Sequence, residues 1–243
     1  MARVLTVLVL ATAGLLAAPA AAERPRFRVL VFSKSIGYHH ESIPAGIAAV
    51  RALGARHGFA VDATEDAAVF TDRRLRRYAV VVWLSTNGDV IGDAQQAAFE
   101  RYIRRGGGFA GVHAAADSEP DWDWYGRLLG ARFRSHPPIQ RGTIRVVDRE
   151  HPSTRSLPRR WRRTDEFYDF RARPTGSVRV LARMDESSYE GGLMGRRHPI
   201  AWCRRFDGGR SWYTALGHTE SSYSEARFRA HLLGGIRWAA GRS

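Results

Sequence analysis

The chain has 243 residues, a formal charge of +14 and one cysteine, Cys203. A lone cysteine excludes any internal disulfide, so the folded state must rest on packing. Lys34 is the only lysine, and the arginines are scattered with no basic run longer than two, which argues against a nucleic-acid partner.

Met1-Ala2-Arg3 gives a short basic start, and Val4 to Ala18 is apolar apart from Thr6, Thr12 and Gly14. Ala20-Ala21-Ala22 supplies the small-x-small pattern of a cleavage site, so residues 1–22 are expected to be a signal peptide. An uncleaved anchor is the rival, but the apolar stretch is short for a span. The mature protein is then periplasmic or secreted, with no stable membrane insertion after cleavage. Residues 23–243, about 220 in all, suffice for one large domain.

Phe27 to Ser33 is an uninterrupted apolar strand. Ser42 is placed to cap a helix with Pro44 in its first turn and Ile47, Val50 and Leu53 on one face. Phe59 to Thr64 is a short strand and Tyr78 to Leu84 a second fully buried one. A helix follows from Asp93 to Arg105, and Gly108 to His113 is the next strand. Continuous apolar strands alternating with amphipathic helices predict a mostly parallel sheet with helices on both faces.

Beyond residue 138 the pattern changes. Ile139 to Val147, Ser177 to Met184 and Ala201 to Cys203 alternate more, and Gly208-Gly209 is a turn into a strand over Ser211 to Leu216. Glu225 to Ala240 closes as a helix with Phe228, Leu232 and Ile236 on one stripe. No repeat or linker divides the chain.

Ligands of open parallel sheets bind beyond the carboxyl ends of the strands. Polar groups stand there three times: Ser33 to Glu41, Ser85-Thr86-Asn87, and His113. Adjacent His39 and His40 cannot readily face one centre, so at most one acts. Asp117 and Asp121 are either acids or helix caps. Trp122, Trp124 and Tyr125 either stack on a sugar ring or pack a short helix onto the domain.

The segments "GGGFAGVHAAADSEPDWDWYGRLLGARFRSHP", "TDEFYDF" and "GGRSWYTALGHTESSYSEARFRAHLLGGIRWAAG" closely resemble the ThuA family, named after trehalose utilisation. "VLVFSKSIGYHHESIPAGI" resembles its first strand and loop, so the likeness runs from about Arg28 to Gly241. It implies an α/β, flavodoxin-like (class I glutamine amidotransferase-like) fold in which a sharp strand-to-helix turn presents the working residue. Amidotransferases place a cysteine in that elbow, because a thiolate must attack the glutamine amide. Here Gly111-Val112-His113-Ala114-Ala115 stands in its place, so glutaminase chemistry is not expected.

The resemblance gives His113 company: His40, His136 in "RSHP", Glu166 in "DEFYDF" and His218 in "LGHTE". Its association with disaccharide use implies a small-molecule carbohydrate as partner, a glycoside or a keto sugar derived from one. His113, Glu166 and His218 are the expected catalytic residues, and His40, His113, His136 and His218 the candidate ligands of a divalent metal, zinc or similar. The same imidazoles without metal can shuttle a proton beside a carbonyl. Trp122, Trp124 and Tyr168 are the candidate substrate-binding aromatics. For each residue a structural role stands alongside: His136 as a turn residue before Pro137-Pro138, and Glu166 as a partner of Arg162 or Arg163. No nucleotide cofactor is expected, a homo-oligomer is compatible, and a non-catalytic sugar-binding or sensing module is the rival function.

Overall fold

The computed structural model describes residues 25–242, so the expected signal peptide lies outside the described residues. In chain order the elements are β1 (Arg28–Phe32), α1 (Ile43–His57), β2 (Ala60–Thr64), α2 (Asp72–Leu75), β3 (Val80–Leu84), α3 (Asp93–Arg104), β4 (Gly108–Val112), α4 (Asp123–Leu129) and β5 (Phe133–Ser135). There follow β6 (Gln140–Val146), β7 (Arg160–Asp165), β8 (Asp169–Phe170), β9 (Arg179–Asp185), β10 (Pro199–Phe206), β11 (Gly209–Thr214), α5 (Glu220–Ser224) and α6 (Ala226–Ala239).

Nine strands form one sheet in the order β2-β1-β3-β4-β11-β10-β9-β6-β7. The run from β2 to β11 is parallel, with the flavodoxin-like order across its first four strands. From β11 onward every neighbour is antiparallel. The two halves differ because their sequences do. The β3 segment VVVWL is buried at every position, as a strand covered on both faces requires. In β7 the segment RWRRTD alternates, with Arg160, Arg162 and Thr164 outward and Trp161, Arg163 and Asp165 inward.

Helices cover both faces of the parallel half. Phe109 of β4 packs against Tyr125 of α4 and Phe99 of α3. Trp212 of β11 lies opposite Ala110, and so on the other face, where it meets His231 and Gly235 of α6. Trp83 sits at the centre of an aromatic cluster with Phe32, Phe70, Phe99 and Tyr125. Burying such side chains is worth roughly 1.5–3 kcal/mol each, and this cluster anchors the strands whose ends carry the site.

Ser42 does not cap α1. Its backbone is already helical, and its hydroxyl instead donates to the carbonyl of Gly217, 3.3 Å away, tying the first loop to the last strand's end. The helix is stopped by Gly58, whose φ of +74° is a conformation that only glycine adopts without strain.

Candidate functional site

The carboxyl ends of β1, β3, β4, β7 and β11 meet at one place. His113 follows β4 directly and holds a φ of +51°, a left-handed backbone that costs a non-glycine residue of order 1 kcal/mol or more. The turn is fixed from outside: the Tyr213 hydroxyl donates to the His113 carbonyl at 2.8 Å. The small side chains of Ala114, Ala115 and Ala116 let it fold tightly, all fully buried. His113 Nδ1 lies 2.8 Å from the carbonyl of Ala215, an acceptor only, so Nδ1 carries the hydrogen and Nε2 is free to face the site.

His218 is placed by a carboxylate that is not itself in the pocket. Asp165 accepts hydrogen bonds from the backbone N–H groups of Gly217 at 2.9 Å and His218 at 3.0 Å. The buried guanidinium of Arg163 balances its charge at 3.0 Å, reaches Glu225 at 3.2 Å and lies over the rings of Trp161 and Phe228. The expected pairing of Glu166 with Arg162 or Arg163 is therefore not formed. Arg163 serves Asp165, because in β7 it shares an inward face with residue 165 while Arg162 points to solvent.

Glu166 instead faces three imidazoles. Its Oε2 lies 3.3 Å from His113 Nε2 and 3.2 Å from His218 Nδ1, and its Oε1 lies 3.0 Å from His136 Nδ1. His113 Nε2 and His218 Nδ1 are 3.0 Å apart. The His40 ring packs edge-on to both, with centroid separations of 4.9 and 5.2 Å, and its buried Nδ1 has no partner among the described residues. Burial alone would raise the Glu166 pKa, but its interactions with the neighbouring His113 and His218 rings outweigh burial and hold it at about 2. Burial, with His113 and His218 adding to it, drives His40 down to about 3. For His218 burial acts downward but the Glu166 hydrogen bond and charge outweigh it and raise the pKa.

One donor atom from each of His40, His113, Glu166 and His218 lies within 4.8 Å of all the others. A tetrahedral ion with bonds of about 2.05 Å has donors about 3.3 Å apart. The three separations of 3.0, 3.2 and 3.3 Å among His113, His218 and Glu166 match that edge, and His40 brings a fourth donor atom within 4.8 Å. The carbonyl holding His113 Nδ1 is the support that metal-binding imidazoles usually have. The donor set therefore fits a divalent ion such as zinc. A single proton on His218 Nδ1 shared with His113 Nε2 satisfies the same geometry.

Beside this centre opens a cavity of about 340 Å³ lined by Tyr38, Asn87, Asp117, Phe133, His136 and Tyr168, together with His40, Glu166 and His218. That volume is at the lower end for small-molecule sites.

The family model for ThuA, described as trehalose utilisation, matches residues 28–239. The chain belongs to the ThuA family. Among solved structures it is similar to a protein described as ThuA-like from Bacteroides uniformis, 26% identical, covering 92% of this chain and 95% of that one with a TM-score of 0.78. A second ThuA-like structure, from Parabacteroides merdae, is 22% identical, covers 89% of this chain and 90% of that one, and has a TM-score of 0.74. A cytoplasmic protein from Salmonella typhimurium is similar in fold, at 11% identity, 87% and 98% coverage and a TM-score of 0.64. Among curated proteins no relative matches. The fold is thus the flavodoxin-like, class I glutamine amidotransferase-like one of ThuA proteins.

Within this ThuA domain the expected residues divide. His40, His113, Glu166 and His218 converge, His136 touches Glu166 from the rim, and Tyr168 packs against His113 with ring centroids 4.2 Å apart and planes tilted by 35°. Trp122 and Trp124 do not line the cavity. They stack on each other, and their indole N–H groups donate to Glu100 at 3.2 Å and Asp207 at 3.0 Å. Packing the short α4 onto the domain is their role. Neither Asp117 nor Asp121 caps α4, whose N-cap is Trp122. His39 is exposed and reaches Glu65, so only one of the adjacent pair faces the site. Cys203 is buried in β10 with its thiol pushed up to about 12 by burial, unsuited to nucleophilic attack.

Sequence reasoning missed Arg163 and Asp165, which position His218, and Phe133 and Tyr38 in the cavity wall; Asn87, at one of the three expected strand ends, does line it. The signal for the first two was the strict in–out alternation of "RWRRTD", concealed because the inward side chains are an arginine and an aspartate.

Proposed function

We propose that this chain is an exported enzyme of carbohydrate breakdown that acts on a keto sugar, or on a glycoside carrying one, at the imidazole–carboxylate centre. The observation that carries the reading is the convergence of His40, His113, His218 and Glu166 from four separate strand ends onto one point beside a small cavity. A binding module needs no such costly burial of three imidazoles around a carboxylate, so turnover is favoured over plain sugar binding.

A divalent metal held by His40, His113, His218 and Glu166 would, when bound, polarise a carbonyl oxygen. The chain's own groups do the rest. A carboxylate as acidic as Glu166 is a poor proton acceptor, so its part is to fix the rings of His113 and His218. Arg163 and Asp165 hold the His218 backbone in register. Tyr38, Phe133 and Tyr168 give the cavity aromatic walls suited to the C–H faces of one sugar ring. With Glu166 committed to imidazoles, the free pair of opposed carboxyls that plain glycoside hydrolysis requires is missing. Export rests on residues 1–22; among the described residues no helix is long and apolar enough to cross a membrane.

The test is turnover of a panel of keto-glycosides against the matching unoxidised glycosides, with metal content measured on protein purified without an affinity tag. Turnover confined to the keto members, lost in His113→Ala, is the expected result. Sugar binding without turnover by metal-loaded and metal-free protein would leave only the binding module.

A further inference from the structure

The cavity contains a second carboxyl that the reading above leaves idle. Asp117 ends the 3-10 turn over His113–Asp117 and lines the same wall as His40, His136, Glu166, Tyr168 and His218. Its surroundings contrast with those of Glu166. Asp117 accepts one hydrogen bond, from the side-chain amide of Asn87 to Oδ2, and among the described residues no ion pair reaches it.

The Asn87–Asp117 pair is held from three sides. The N–H of Ile36 donates to the Asn87 carbonyl at 2.8 Å, and the N–H of Gly88 donates to the Asp117 carbonyl at 3.1 Å. Ser35 with Asn87, and Gly88 with Ser118, pair as isolated parallel bridges beyond the strand ends. Gly37 must lack a side chain, because a Cβ there would overlap Asn87 Oδ1. The segments after β1, β3 and β4 are thereby sewn into one floor, and the amide–carboxyl pair projects from it into the cavity.

We infer that Asp117 is the proton-transferring carboxyl of this site, acting on a C–H bond next to the carbonyl of a bound keto sugar, with Asn87 as its positioning residue. The assignment rests on the function proposed above and names its missing base. In the step, the C–H bond breaks and its proton passes to a carboxylate oxygen of Asp117. The C–H electron pair becomes a C=C bond, and the carbonyl π pair moves onto oxygen, where the imidazole centre holds the charge. Return of the proton restores the neutral sugar and the carboxylate, so no oxidant or reductant is consumed.

Electrostatics support this division of labour. Burial raises the Asp117 pKa above its ordinary value, against the opposing hydrogen bond from Asn87 and the charge of Arg171. The tyrosines 168 and 213 also feel its charge but are themselves far too weakly acidic to compete. Two carboxyls in one cavity, one pushed up and one held down, are the pattern of separated acid–base roles.

The test is solvent exchange: the full chain is incubated in D₂O with a panel of keto-glycosides, and loss of the proton beside the carbonyl is followed by NMR. Wild type is expected to exchange it, and Asp117→Asn to be slower by about 100-fold or more. Sugar-induced chemical shifts and melting temperature should stay close to wild type in that variant. Asp117→Glu should recover part of the rate, and Asn87→Ala should move the acid limb of the pH profile upward while leaving KM within a few-fold. Exchange by Asp117→Asn within three-fold of wild type overturns the assignment and leaves the proposed function standing. No exchange by wild type on any member overturns both.

Discussion

Two clusters of buried histidine and carboxylate are built on this sheet, and they do different work. In the first, His40, His113, His218 and Glu166 turn side-chain donors toward one another and toward a cavity. In the second, Asp169, Glu186 and His198 are also within ligand distance, yet most of their polar atoms are held by backbone groups of the fold, with Asp169 Oδ2 left without a partner among the described residues. Glu186 accepts from the backbone N–H groups of Met194 and Gly195, each at 2.8 Å, and Asp169 accepts from Leu193 at 2.9 Å. His198 lies between Glu186 Oε1 and the Tyr168 carbonyl, 2.8 Å from each. The Tyr189 hydroxyl lies 3.1 Å from the same Nδ1 as Glu186, so both ring nitrogens of His198 are occupied within the fold. The second cluster sews the 186–195 loop to the sheet; the first borders a cavity. Residue type alone does not separate them; the destination of each lone pair does.

The largest expected difference between the clusters is in chemistry. His113→Ala should cut turnover roughly 10²–10⁴-fold and remove bound metal, read by steady-state rates and elemental analysis. Metal retained at full stoichiometry in that variant would move the ion elsewhere. Glu186→Ala should act oppositely: about 1–3 kcal/mol of stability lost in urea unfolding, because it takes the partner from His198 Nδ1 and from the N–H groups of Met194 and Gly195, with metal content unchanged. A loss under about 1 kcal/mol would mean that the second cluster holds nothing together.

Acid should test a third pair of histidines that belongs to neither cluster. Burial holds His231 down at about 3 and His151 at about 4, and their Nε2 atoms have no partner among the described residues. Both therefore stay neutral in the folded state where the unfolded chain binds protons, below its ordinary value of 6.5. Their stabilising effect is complete above that pH and falls as pH drops from 6.5 toward 4, by about 1.4 kcal/mol per pH unit for each residue. Equilibrium unfolding at pH 7.5, 6 and 5 measures it, and a flat profile would refute it. The smallest effect is expected from Trp124→Phe, which forfeits one partly buried hydrogen bond to Asp207. A cost of about 1 kcal/mol with unchanged sugar affinity is the outcome that fits a packing role.

How far the sequence disclosed this site depends on which half of the sheet is asked. The parallel strands are short apolar runs with turns at their ends, and His40, His113 and Asn87 are visible as polar groups where such runs stop. Glu166 and His218 were identifiable only through the resemblance, since nothing in their spacing brings residues 113, 166 and 218 together. Trp122 and Trp124 misled because an aromatic pair beside an acidic loop suits sugar stacking as well as it suits covering α3. Ser42 has a capping residue's chemistry, but the carbonyl of Gly217, distant in sequence, offers its hydroxyl a partner that local pattern cannot reveal.

The position of β11 has a consequence for how the molecule comes into being. It is the last in chain order of the described strands, yet it lies in the middle of the sheet, between β4 and β10, and the segment after it carries His218. During synthesis the earlier strands cannot close their central seam, and no partial chain owns a finished centre. Assembly of this seam must wait for a long-range insertion, the kind of pairing that slows folding, so the four side chains of the centre come together only after β11 has docked.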